Sequence, residues 1–294
     1  MKQPVFEGLA TAIVTPFKNG TIDIPTFEKL LDLQLAANVD AIVVCGTTGE
    51  SSTLSAQEQL MLIAHAMQYT AGRCKVIAGT GSNSTAHAIE MSRAASSMGV
   101  RAVLIVTPYY NKCTQAGLIA HYTAIADSIS CPVICYNVPS RTGLDMTVEP
   151  YQALAKHPNI QGVKEAGGTP AKLAKTVETC QDDFFVWSGN DDEAVSAMAL
   201  GAKGLISVLS NVRPKMTRSM IRACQQNDFA LAGSLQRKLL DLIGALFCEV
   251  NPIPVKKALE LEGIPAGAPR LPLMELSAEK LPLLQAALDQ TPDA

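Results

Sequence analysis

A few polar residues stand at the ends of apolar runs, where chemistry is possible: Lys164 in VKEA, Tyr136 and Arg141 in YNVPSRTG, and Thr47 and Thr48 in GTTGES. A lysine inside an apolar strand must carry its ammonium to water or give up its charge. In the neutral form it is the nucleophile of Schiff-base chemistry with carbonyl compounds. An ordinary lysine is only about 0.1% neutral near pH 7.4, so such a nucleophile works where burial or neighbours favour the amine. The competing reading is an ion pair between Lys164 and Glu165 or another carboxylate at the strand end. Tyr136 reads either as a half-buried core aromatic with its hydroxyl bonded or as a proton carrier. Arg141 would pair with a surface carboxylate or, beside a pocket, clamp a substrate carboxylate with its planar fork. GTTGE reads as a tight turn entering a helix, with N–H groups that hold a carboxylate or are capped by Thr or Ser.

Other chemistries find less support. GTGSNS (79–84) has Ser84 where a dinucleotide fingerprint needs its third glycine. The four histidines (His65, His87, His121, His157) have no metal-ligand spacing, and the Asp191, Asp192, Glu193 cluster has no partner pattern, so no catalytic metal is expected. The eight cysteines contain no C-x-x-C, as expected of small buried thiols in a reducing cytoplasm. A net charge of −3 without a basic stripe argues against nucleic acid. The start MKQPVFEG has no apolar leader segment, and no stretch reaches the roughly 18 apolar residues of a membrane span; a soluble, cytoplasmic protein is expected.

These residues need elements to position them. The chain has 294 residues, 48% hydrophobic and 17% charged, enough for a large core. Eight short apolar runs recur: 8–17, 40–46, 74–81, 102–108, 131–139, 160–166, 184–191 and 204–211. They are continuous rather than alternating, as in parallel strands covered on both faces. Amphipathic segments with helix starts at Thr26 and Ser55 lie between them. The alternation predicts an α/β fold, a (β/α)8 TIM barrel, with a doubly wound open sheet as the alternative. Four further helical segments predict a C-terminal helical extension, giving a barrel over 1–225 and an extension over 226–294. In such barrels the working site forms at the C-terminal strand ends, so Thr47, Tyr110, Tyr136, Arg141 and Lys164 would converge on one mouth.

GTTGES (46–51), TPYYN (107–111), YNVPSRTG (136–143) and VKEA (163–166), followed by SGND, GLISV and NPIPVK, together resemble the dihydrodipicolinate synthase family over most of the chain. The resemblance implies a lyase of the class I aldolase type. It would condense pyruvate with L-aspartate 4-semialdehyde through a Schiff base on Lys164 to give 4-hydroxy-tetrahydrodipicolinate, in the diaminopimelate route to lysine. No organic cofactor or metal is implied. Tyr136 is carried over as proton donor and acceptor, linked by Thr47 to Tyr110 of a neighbouring subunit. Thr48 with Thr47 would hold the pyruvate carboxylate and Arg141 that of the second substrate, with Gly189 and Ile206 lining the pocket through backbone groups. A homo-oligomer, a dimer of dimers, is implied.

The resemblance also implies a lysine-binding site in feedback-sensitive members, aligned here with Ser51, Ala56, Gln59, Asn83, His87 and Tyr109. This chain departs from the sensitive pattern by carrying His87 for a glutamate and Ala56 for a histidine, so weak or absent lysine inhibition is expected. The rival reading is a related pyruvate aldolase, such as an N-acetylneuraminate lyase or a keto-deoxy sugar acid aldolase. Arg141 and the second threonine of GTTGE favour the synthase. A non-catalytic small-molecule-binding barrel is the remaining alternative.

Overall fold

Unbroken apolar strands need cover on both faces, and the chain supplies it by closing its sheet and wrapping it in helices. The computed structural model describes residues 2–292. Its eight parallel strands are β1 (Gly8–Ala12), β2 (Ala41–Val44), β3 (Lys75–Gly79), β4 (Ala102–Val106), β5 (Val133–Asn137), β6 (Ile160–Glu165), β7 (Phe185–Ser188) and β8 (Gly204–Ser207). Each pairs with the next, and β8 returns to β1, so the sheet is a closed barrel rather than an open one.

Side chains fill the lumen. Ala10, Val43, Ile77, Leu104, Ile134, Trp187 and Ile206 form one buried cluster inside the strands, while a larger cluster lies between strands and helices. Phe6, just before β1, stacks on Trp187 with ring centroids 5.3 Å apart, and the Trp187 indole donates to the Phe6 carbonyl at 3.1 Å. The N-terminal end of the barrel is thereby plugged. Truncating a side chain as large and buried as Trp187 to alanine costs about 3–5 kcal/mol in typical cores.

The first helix, Ile24–Ala36, begins two residues before the expected Thr26, because Asp23 is the cap and accepts the Thr26 N–H. Ser55 caps Ala56–Thr70 as expected, in a capping box with Glu58. A small hairpin, Phe17–Lys18 with Thr21–Ile22, is too short to leave a periodic signature and was not anticipated. After β8 come the four expected helices: Pro214–Gln225, Phe229–Leu246, Ile253–Leu261 and Leu281–Asp289. The first packs on β1, the second on the first, and the chain then runs back until the Phe17 N–H donates to the Ala266 carbonyl at 2.9 Å. Among the described residues, no helix is long and apolar enough to cross a membrane.

Candidate active site

Strand alternation decides the fate of Lys164. Successive side chains point to opposite faces, so Lys164 and Glu165 cannot share a direction. Lys164 is 5% exposed and faces the lumen, in register with Tyr136 on β5 and Trp187 on β7. Its ammonium lies 4.4 Å from the centre of the Tyr136 ring. Glu165 faces the helices instead, accepting from Asn137 at 2.8 Å, Tyr151 at 2.7 Å and the Gly167 N–H at 3.0 Å, with Lys172 at 3.3 Å. The Lys164–Glu165 pair weighed from sequence is therefore not made. Burial and the neighbouring carboxylate push the Tyr151 phenol well above its ordinary pKa, so it donates to Glu165 as a neutral hydroxyl.

The outward network also anchors the loop that bears Arg141. Asn137 donates to Asp145 at 2.7 Å as well as to Glu165, and accepts the Met146 N–H at 3.0 Å. The loop between them folds as a short helix, Pro139–Thr142, on which Arg141 is exposed. A cleft of about 450 Å³ brings Arg141 together with Thr47, Ser51, Gln59, His87 and Tyr109. Lys164 and Tyr136 lie outside that lining, in the lumen.

The GTTGE turn departs from the expectation. It leads into a 3₁₀ turn, Ser51–Thr53, before the helix begins, and its amides bond within the turn: Gly49 and Ser51 donate to Gly46, and Glu50 to Thr47. Those three N–H groups are not free to hold a carboxylate, so only the Thr47 and Thr48 end of the turn, with its amides and hydroxyls, remains for one. Thr48 is buried and its Oγ1 accepts from Asn251 Nδ2 at 2.9 Å, while Asn251 Oδ1 is buried without a partner. Glu50 is buried against Lys256 at 2.8 Å.

Gly189 follows β7, where an added Cβ would stand 3.0 Å from Lys164 Cε and 2.7 Å from the Ala166 side chain; the absent side chain leaves the lysine its room. Ile206 is fully buried on β8. Beyond it, buried Asp191 accepts from the Ser207 hydroxyl at 2.5 Å and from the Val208 and Leu209 N–H groups. Burial raises its pKa despite those donors. Tyr110 stands apart from the rest: it is 91% exposed, with φ +70°, a left-handed conformation unfavourable for a tyrosine. Of the second candidate set, Asn83 donates to the Tyr109 carbonyl at 3.3 Å, His87 lies 3.7 Å from Glu90, and Ala56 is exposed outside the cleft lining.

Sequence reading missed Asn137, Glu50, Asn251 and Lys256. The last two lie within NPIPVK, but their partners are some two hundred positions away and no local pattern joins them.

Residues 5–291 match the Dihydrodipicolinate synthetase family. The chain is 50% identical over 274 residues to a protein of Exiguobacterium sibiricum named 4-hydroxy-tetrahydrodipicolinate synthase, covering 93% of this chain and 94% of that one. Among solved structures, the chloride-inhibited dihydrodipicolinate synthase of Acinetobacter baumannii complexed with pyruvate has a TM-score of 0.95 at 42% identity, over 97% of this chain and 98% of that one. A monomeric dihydrodipicolinate synthase variant has the same TM-score at 40% identity, over 97% of each chain. With a closed barrel and an inward lysine beside an inward tyrosine, this chain belongs to the Dihydrodipicolinate synthetase family.

Proposed function

We propose that the protein is a 4-hydroxy-tetrahydrodipicolinate synthase, condensing pyruvate with L-aspartate 4-semialdehyde through an imine on Lys164. The observation that carries the assignment of the nucleophile is the placement of a buried lysine inside the lumen, on a rigid strand, away from the adjacent carboxylate. The Lys164 amine adds to the pyruvate ketone carbon, and the carbinolamine loses water to give a protonated imine. That imine accepts the electron pair left when the methyl group loses a proton, so an enamine forms. The enamine carbon bonds to the aldehyde carbon of the second substrate, restoring the imine. The substrate amine then adds to the imine carbon and expels the Lys164 amine, closing the ring.

Tyr136 carries the protons of these steps, because a phenol both donates and accepts. Thr47 and Thr48 hold the pyruvate carboxylate by their hydroxyls, and Arg141, on the rim of the cleft, holds the carboxylate of the semialdehyde. Gly189 and Ile206 line the pocket. Tyr110 completes the relay of a second copy, which gives an exposed tyrosine in a left-handed conformation a reason to be there. The working form is then at least a dimer, in a dimer of dimers. Ser51, Gln59, Asn83, His87 and Tyr109, with Ala56 at the edge, form a degenerate effector site. All eight cysteines are free thiols, in keeping with a cytoplasmic enzyme.

Incubation with pyruvate followed by borohydride tests the reading. A reduced pyruvyl adduct on Lys164, with turnover of the semialdehyde, is the expected result. An adduct without that turnover would point to a sugar-acid aldolase, and no adduct would make the lysine structural.

A further inference from the structure

We propose that Glu50, Lys256 and Asn251 are positioning residues through which the helix Ile253–Leu261 and the segment before it fix the turn that presents Thr47 and Thr48. This inference rests on the roles proposed above for those two threonines.

The turn is held at three consecutive residues. Thr48 Oγ1 accepts from Asn251 at 2.9 Å, the Gly49 carbonyl accepts from the Thr15 hydroxyl at 2.7 Å, and the Glu50 carboxylate is gripped on both oxygens. One Glu50 oxygen takes Lys256 Nζ at 2.8 Å and the other the Arg270 N–H at 2.9 Å. Lys256 spends its remaining protons on the carbonyls of Thr15 at 3.1 Å and Ala268 at 3.4 Å, and its ammonium lies 4.3 Å from the centre of the Phe17 ring. Glu50 has φ +55°, a conformation that costs a residue with a Cβ and persists only where its surroundings over-determine it.

Stability alone does not account for this arrangement. A buried ion pair is often matched or exceeded in stability by apolar residues of similar volume, so its presence at this turn is better explained by fixing geometry. Asn251 acts on the hydroxyl directly. By donating to Thr48 Oγ1, it leaves the single Thr48 proton to be given elsewhere, as a substrate carboxylate requires. Asn251 and Lys256 flank the start of one helix, so one element sets both tethers.

Two variants test the inference: the double replacement Glu50→Gln with Lys256→Met, which removes both buried charges and keeps their shape, and Asn251→Ala, which removes only the Thr48 tether. For each variant, both KM values, kcat, the borohydride adduct and thermal unfolding are measured. A positioning role predicts folded proteins in which KM for pyruvate rises about tenfold, kcat falls severalfold, and KM for the semialdehyde stays within about twofold. The adduct on Lys164 still forms at saturating pyruvate. A general loosening of the fold would not single out one substrate. A folded double variant with unchanged constants overturns the inference, and so does Asn251→Ala with an unchanged pyruvate KM. Should the double variant not fold, Asn251→Ala decides alone. Absence of an adduct in the unaltered protein would refute the Schiff-base reading itself, and this inference with it.

Discussion

Lys164 and Tyr136 are register partners on adjacent strands, with the lysine ammonium 4.4 Å from the centre of the tyrosine ring. Both project into the lumen, and both backbones are fixed by ladder hydrogen bonds rather than by a loop. The separation of amine and phenol is therefore set by the barrel, which suits the pre-organised proton transfer proposed for the pair.

Replacing Tyr136 with phenylalanine keeps the ring, its packing and its face toward the ammonium, and removes only the hydroxyl. We expect kcat to fall about 10²- to 10³-fold, within the usual range for general acid–base catalysis, with an adduct on Lys164 still forming slowly. Thermal unfolding should stay within a few degrees of the parent's. A variant that turns over at more than about a tenth of the parent rate would remove Tyr136 from the proton path.

The barrel was legible in the sequence because each strand is apolar without alternation, a pattern that only cover on both faces explains. Lys164 stood out for the same reason, as a charge inside such a run. Its partner did not. Choosing between Glu165 and the lumen needed the strand's phase, which a short apolar run leaves open, and the register that sets Tyr136 beside it exists only once β5 and β6 pair. The tethers on the GTTGE turn were illegible for a related reason: Glu50 meets Lys256 only because the chain returns to β1 after the barrel is complete.

Tyr110 serving a neighbouring copy can be tested by mixing two inactive variants. Tyr110→Phe keeps Lys164 but sends no hydroxyl across, and Lys164→Ala sends the hydroxyl but has no nucleophile. A mixed dimer contains one complete site. After dissociation and reassociation of an equal mixture, about a quarter of the parent activity should return, since half the dimers are mixed and each has one working site of two. No recovery, with mixed dimers demonstrated by mass spectrometry, would place Tyr110 outside its neighbour's site.

Lysine should inhibit weakly or not at all. His87 is half-exposed. In the effector site proposed above it takes the place of the acidic partner for the ligand's ammonium, and an imidazole cannot take that part. Joint replacement of His87 by Glu and Ala56 by His should strengthen inhibition by about tenfold or more. A sub-millimolar inhibition constant for the unaltered protein would contradict the assignment.

His121 gives the fold an acid-sensitive point. It is 5% exposed on the helix Gln115–Asp127, its Nδ1 lies 2.9 Å from the Thr85 hydroxyl, and its Nε2 is buried without a partner. Burial pushes its pKa down to about 4 from 6.5. Between those values the unfolded chain binds a proton that the folded protein refuses, so stability is lost as pH falls from 6.5 toward about 4. Linkage sets the loss at up to about 3 kcal/mol across the window. Replacing His121 with leucine, which needs no partner and cannot titrate, should flatten that part of the pH–stability curve. Denaturant unfolding at pH 7 and at pH 4.5, with and without the replacement, measures the effect directly. Parallel losses in the two proteins would mean that His121 takes up its proton within the fold.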